Sequence, residues 1–189
     1  MCSSDLWIND SAALAGLDGL QSLARVGDLH LEGCNGLPNL DGLENLTEVG
    51  GVNLSGNNGL THLRGLSGLR ETGGSLQIWA NGGLTNLEGL EGLEHIDGRL
   101  RLSLNTALTS VDGLGGLRSV DSVFEMVGNN RLSSLAGFTS LATLGRDMKI
   151  KDHPNLAPCE VERLRDQVGE ANIGGEIILE NNTGSMACD

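Results

Sequence analysis

One template recurs along this 189-residue chain and leaves few folds open to it. An apolar-x-apolar core repeats with its second apolar residue at Leu31, Leu54, Ile78, Leu102, Met126 and Ile150, and Ile8 and Leu179 fit the same frame at the two ends. Two residues before these anchors stand Leu6, Leu29, Val52, Leu76, Leu100, Phe124, Met148 and Ile177. Three residues after them stand Asn57, Asn81, Asn105, Asn129 and Asn182, with Ser11, Cys34 and His153 in the same place elsewhere. A self-similar period in the low twenties is the signature of stacked units, each of which buries its apolar face only against its neighbours.

The residues of the core alternate sides, as in a short strand. Stacking such units predicts one parallel sheet of about eight short strands. The Asn after each strand has an amide that can both donate and accept, which suits a buried bend whose backbone groups need partners. Beyond it, Leu returns every third residue, as in Leu37, Leu40, Leu43, Leu46 and Val49. A period of three is not the 3.6 of an α-helix; it predicts 3₁₀ or irregular turns on the convex side. Gly19, Gly42, Gly65, Gly89, Gly113 and Gly137 share one place in the frame and are expected to mark bends with φ > 0. Gly27, Gly50, Gly73 and Gly145 mark the return to the next strand, where Asp97 and Asp121 stand in two units.

The predicted fold is therefore a mainly β, right-handed repeat solenoid in a single domain. Residues 1–26 are read as an N-terminal capping unit, 27–146 as five regular units and 147–189 as a C-terminal cap. One α-helix is predicted, over 158–168, with Pro158 at its start, Val161, Leu164 and Val168 on one face and Gly169 as its cap. A strand at Glu176–Leu179 should follow.

Aromatic residues make up 2 % of the chain and Tyr is absent, so the core must be built from aliphatic side chains in thin layers. A net charge of −13 argues against nucleic acid and against docking on anionic lipid, and no apolar run approaches membrane-spanning length, so direct membrane insertion is not expected. The start, Met1 to Asp5, lacks the basic and apolar segments of a signal peptide. The cysteines point the other way. Cys159 and Cys188 bracket the irregular last unit, and a bridge closing that loop of roughly 29 residues would stabilise by about 3–4 kcal/mol. Cys2 and Cys34 could staple the opposite end, although Cys34 in the ladder place can equally be a buried thiol.

Alternation leaves one defined surface, the outer face of the sheet. Trp7, His30, Asn53, Gln77, Arg101, Glu125 and Lys149 precede the anchors; Glu32, Ser55, Trp79, Ser103, Val127 and Lys151 follow them. A third row three residues before the anchor includes Asp28, Ser75, Arg99 and Asp147. Trp and Arg are enriched at binding hot spots. The candidate ligand-binding residues are Trp79, Arg99 and Arg101, with Gln77, Trp7 and His30. No Ser or Cys stands with a His and a carboxylate in a catalytic arrangement, and His30, His62, His95 and His153 fall at different frame positions. No cysteine spacing suits zinc. The sequence thus predicts no enzyme, no cofactor and no metal centre.

The stretch Ser75 to Gly98, SLQIWANGGLTNLEGLEGLEHIDG, resembles a unit of the receptor L domain, the leucine-rich repeat module that forms the ligand-binding lobes of insulin-type and EGF-type receptors and has relatives among bacterial and fungal surface proteins. The run from Cys159 to Leu164, with Asn181-Asn182 and Cys188 downstream, is similar to that family's C-terminal cap. The resemblance implies an extracellular or cell-surface recognition module that binds a protein or carbohydrate. Growth-factor binding does not carry over, because the sequence shows no Cys-rich neighbour module or kinase. The alternative is a structural envelope component whose repeats act as a spacer.

Overall fold

The computed structural model describes residues 4–185 and shows a parallel β-solenoid. Cys2 and Cys188 lie outside the described residues. The elements run β1 (Leu6–Asn9), β2 (Arg25–Val26), β3 (Leu29–Glu32), β4 (Glu48–Val49), β5 (Val52–Ser55), β6 (Glu71–Thr72) and β7 (Leu76–Trp79). They continue with β8 (His95–Ile96), β9 (Leu100–Ser103), β10 (Ser119–Val120), β11 (Phe124–Val127), β12 (Thr143–Leu144) and β13 (Met148–Lys151). The helix α1 (Pro158–Val168) and the strand β14 (Ile177–Glu180) close the stack.

The long strands form one eight-stranded parallel sheet in the order β1-β3-β5-β7-β9-β11-β13-β14. Its register aligns the anchors, as in Leu54 with Ile78 and Ile78 with Leu102. The helix sits where it was expected, with Pro158 at its first turn, Gly169 at its end (φ 79°) and Val161, Leu164 and Val168 buried. Glu160 on the same helix is buried too. Its Oε2 accepts hydrogen bonds from Ser134 Oγ and the Leu135 amide, and its Oε1 pairs with Arg163, so the charge is compensated on all sides. The last strand starts one residue later than predicted. Short strands on the return side, β2 with β4 and β6 with β8, β10 and β12, form two further parallel sheets that the Leu-every-third pattern conceals.

The three-residue period has a direct backbone cause. The amides of Leu37, Leu43, Leu46, Leu66, Leu69, Leu90 and Leu93 each donate to the carbonyl three residues earlier. Each such turn swings one Leu inward, and these side chains are fully buried in a single core. Phe124 and Phe138 replace two aliphatic residues and meet edge to face, with centroids 5.2 Å apart.

Gly19, Gly42 and Gly89 have positive φ, as expected of that frame position. Gly65, Gly113 and Gly137 do not. They are required for another reason: a Cβ on Gly65 would collide with Leu40 O, on Gly113 with Leu87 O and on Gly137 with the backbone at Asp112. The place that takes positive φ in every turn is two residues past the anchor, at Asp10, Gly33, Gly56, Ala80, Leu104, Gly128, Asp152 and Asn181.

The Asn column is a continuous hydrogen-bonded ladder. Asn81 Oδ1 accepts from the Asn57 amide and Asn81 Nδ2 donates to Leu54 O, both at 2.9 Å. Asn57, Asn105 and Asn129 repeat both bonds one turn before or beyond. Cys34 occupies the first ladder place as a free, buried thiol, its Sγ 3.5 Å from Ile8 O. This corrects the possible Cys2–Cys34 bridge: a thiol that contacts backbone carbonyls inside the bend can stand in for the missing amide. At the other end His153 joins the column. Asn129 Nδ2 lies 3.3 Å from His153 Nε2, and His153 Nδ1 lies 3.2 Å from Asn182 Oδ1. An amide nitrogen can only donate and an amide oxygen only accept, so the ring is neutral with its proton on Nδ1. Asn182 Nδ2 then donates to Ile150 O and ends the ladder.

Two predictions follow from the ladder. Asn81→Ala should destabilise the fold by about 1–3 kcal/mol because buried backbone groups lose their partner. Asn39→Ala, where the side chain only bonds the Asp41 amide on an outer turn, should cost within about 0.5 kcal/mol. Chemical denaturation of the two variants measures the difference, and equal effects would refute the ladder's role.

Burial lowers the His153 pKa below its ordinary value, against a weaker opposing effect of the Asn182 bond. The unfolded chain therefore binds this proton first. Stability is unaffected above about pH 6.5, falls as pH drops from there through the lowered folded pKa, and levels off beneath it. In His153→Asn the ladder keeps an amide that cannot titrate. Relative to wild type, the variant should gain stability between pH 7.5 and pH 5 in urea melts; a pH-independent difference would contradict this account.

Candidate functional site

The outward rows of the long sheet carry the candidate site. Register sets Trp79 on β7 between Ser55 on β5 and Ser103 on β9. The indole is half-buried, and its Nε1 donates to Asn53 Oδ1 at 3.3 Å. The Arg101 guanidinium lies over the ring, with Cζ 4.9 Å from the centroid, a cation–π contact worth about 0.5–2 kcal/mol. Beside a large ring the two serines lose their exposure: they point outward by alternation, yet both are buried and their hydroxyls have no hydrogen-bond partner.

Arg101 Nε is also buried. It lies 3.2 Å from Glu125 Oε1, close enough for Coulomb attraction but not aligned for a hydrogen bond. Next to this pair is a hollow of about 270 Å³ lined by Arg101, Ser103, Leu104, Val127, Lys149 and Lys151. Leu104 is 47 % exposed and occupies the positive-φ place (φ 58°). A leucine there costs roughly 1–2 kcal/mol of backbone strain that the glycines of other turns avoid. Local strain combined with an exposed apolar side chain is what binding surfaces tolerate and packing surfaces do not.

Lys149 and Lys151 on the hollow's far side are each paired, to Asp147 and to Glu180, at 2.8 Å. The Lys151 pKa is raised by its Glu180 bond and that of Asp147 is lowered by Lys149. Both pairs are open to solvent and worth little to stability.

The other candidates lie elsewhere. Trp7 is 58 % exposed and stacks on His30, its direct register partner, with centroids 3.7 Å apart and an 11° interplanar angle. Gln77 and His30 line a second hollow of about 240 Å³ with Asp28, Asn53, Gly51 and Ser75. Arg99 is exposed in the corner before β9, and the guanidinium that stacks on Trp79 is that of Arg101. The row holding Arg99 has a structural use that sequence reading did not find. Asp28 Oδ1 accepts from the Gly51 amide, Ser75 Oγ from the Arg99 amide and Asp147 Oδ1 from the Glu176 amide. At these three places the side chain clips the edge of one turn to the next.

Sequence reasoning placed Trp79, Arg101, Gln77, His30 and Trp7 on one face because strand alternation decides facing. It missed Leu104, since the frame alone does not reveal which turn residue has positive φ. The comparison that could have found it is the column itself: Gly, Asp and Asn dominate there, and beside Ala80 the only other departure is the much larger Leu104. Among the described residues no helix is long and apolar enough to cross a membrane. No family model matches the chain, and comparison with curated proteins and with solved structures finds no match.

Proposed function

We propose that this chain is a non-enzymatic recognition module that binds a protein or glycan through the outer face of the long sheet. The observation that carries this reading is the Trp79–Arg101 stack beside a hollow with a strained, exposed Leu104. An aromatic plane and a guanidinium on a body of net charge −13 form a local apolar and cationic spot. A carboxylate-bearing protein segment or an acidic sugar stacked on the indole complements it. Buried hydroxyl and guanidinium atoms without partners, at Ser103 and Arg101, are groups that a bound ligand can satisfy.

The kinship with receptor L domains is part of the same proposal, and so is an extracellular or cell-surface setting. Cys159 opens α1 and is not a free thiol. It is half-buried, while α1 turns Val161, Leu164 and Val168 to the core. We assign its partner as Cys188, a pairing that ties the cap to the end of the chain and suits an oxidising compartment. Peptide mapping without reduction should link the Cys159 and Cys188 peptides; two alkylated thiols at those positions would remove the argument for that setting.

A second reading, a spacer with an idle face, draws on the charge pairing. Arg101, Lys149 and Lys151 all have acidic neighbours that neutralise them. Glycan and protein arrays distinguish the two. The recognition reading expects Trp79→Ala with Arg101→Glu to lower binding of the captured ligand at least about tenfold, the scale of a hot-spot loss. An exchange on the convex side, such as Glu91→Lys, should leave binding unchanged. If the first variant binds normally and the second does not, the sheet face is not the site.

A further inference from the structure

On the return side of the solenoid, away from the Trp79 face, the repeat is broken twice in the same place. The position that is glycine at Gly27, Gly50, Gly73 and Gly145 is aspartate in two consecutive turns, Asp97 and Asp121. Two residues before Asp97, β8 begins with His95. Parallel pairing of β8 with β10 sets His95 beside Ser119 and carries Asp97 and Asp121 to the same corner.

The three side chains converge. His95 Nε2 lies 2.8 Å from Asp97 Oδ1 and 3.5 Å from Asp121 Oδ2, and one donor atom from each residue falls within 4.8 Å of the other two. In a tetrahedral site with zinc–nitrogen and zinc–oxygen bonds of about 2.0–2.2 Å, neighbouring donors stand about 3.3–3.5 Å apart. The observed spacings bracket that edge length, so small side-chain adjustments suffice. The backbone beneath is fixed: the Asp97 amide donates to Thr72 O and the Asp121 amide to Ile96 O.

The other ring nitrogen, His95 Nδ1, is hydrogen-bonded to Ser119 Oγ. With the ring proton on Nδ1, which then donates to Ser119 Oγ, that contact is what a metal-ligating imidazole uses to hold its orientation and to keep Nε2 available. The three residues are half-buried to exposed, so a hydrated ion can reach them.

We propose that His95, Asp97 and Asp121 form a binding site for a first-row divalent cation of the zinc type, with water completing its coordination. One imidazole and two carboxylates favour such an ion over magnesium, which prefers oxygen alone. On binding, the metal takes the place of any proton on His95 Nε2 and bridges the two carboxylates. Adjacent turns are thereby linked at a corner where other turns carry only glycine. The site is independent of the recognition reading above and lies on a different sheet.

Calorimetric titration of the full, tag-free, EDTA-treated chain with zinc chloride tests it. One equivalent should bind, and the thermal midpoint should rise with zinc. His95→Gln and Asp121→Asn should each weaken binding at least about tenfold, and Ser119→Ala about tenfold through loss of the orienting bond. His62→Gln, a half-buried imidazole on another turn, should leave it unchanged. Far-UV circular dichroism of the zinc-free variants confirms that each is folded. Absence of saturable binding at millimolar zinc, or wild-type affinity in folded His95→Gln, would overturn the proposal and leave the cluster a histidine–carboxylate ion pair.

Discussion

Everything in this molecule depends on satisfying backbone groups inside a bend that water cannot reach. A parallel stack of short strands must turn sharply at the end of each, and the turn is buried against the next. Asn57, Asn81, Asn105 and Asn129 meet that demand with one amide each, accepting from the preceding ladder residue and donating to a carbonyl further back. The positive-φ residue between strand and Asn makes the geometry possible. Leucines inside the stack add a large apolar burial, but burial is non-directional. The ladder is what sets one turn upon another in a single register.

How much of this was legible depended on whether a feature repeats. The strands, the ladder, the inward Leu and the helix at Pro158–Val168 follow from periodicity and local capping, and the structure has all four. What stayed hidden was set by contacts between turns. Gly65 and Gly113 look like bend residues but are close-approach residues, a distinction that needs the neighbouring carbonyl. Asp28, Ser75 and Asp147 look like an exposed row but clip the next turn's amides. Cys34 could have been half of a bridge and is a thiol in the ladder. The Trp79–Arg101 contact was foreshadowed by alternation, whereas its asymmetry, with Arg101 stacked and Arg99 in the corner, depends on side-chain direction.

In a regular repeat, departures are easier to interpret than conserved places. Leu104, the one large apolar residue in a column otherwise of glycine, aspartate, asparagine and Ala80, brings strain and exposure to the hollow beside Trp79. Asp97 and Asp121 in a column of glycine converge on His95. Neither substitution improves the stack, and local costs of this kind concentrate where a protein does something other than fold. One departure lies on the long sheet and the other on the short one.

The return corner has one more irregularity. Between the short strand and the next long one the chain takes two residues in the first turns, Gly27-Asp28 and Gly50-Gly51, but three from Gly73 onward, Gly73-Gly74-Ser75. At that change of length the short-strand ribbon is cut into β2-β4 and β6-β8-β10-β12, while the long sheet runs through unbroken. The stack stays joined across that change, because the Gly73 amide donates to Val49 O at 3.0 Å, the same bond that the Asp97 amide makes to Thr72 O one turn later. The extra residue is thus absorbed in the corner, and the outer face that carries Trp7, His30, Trp79 and Arg101 keeps one register from end to end.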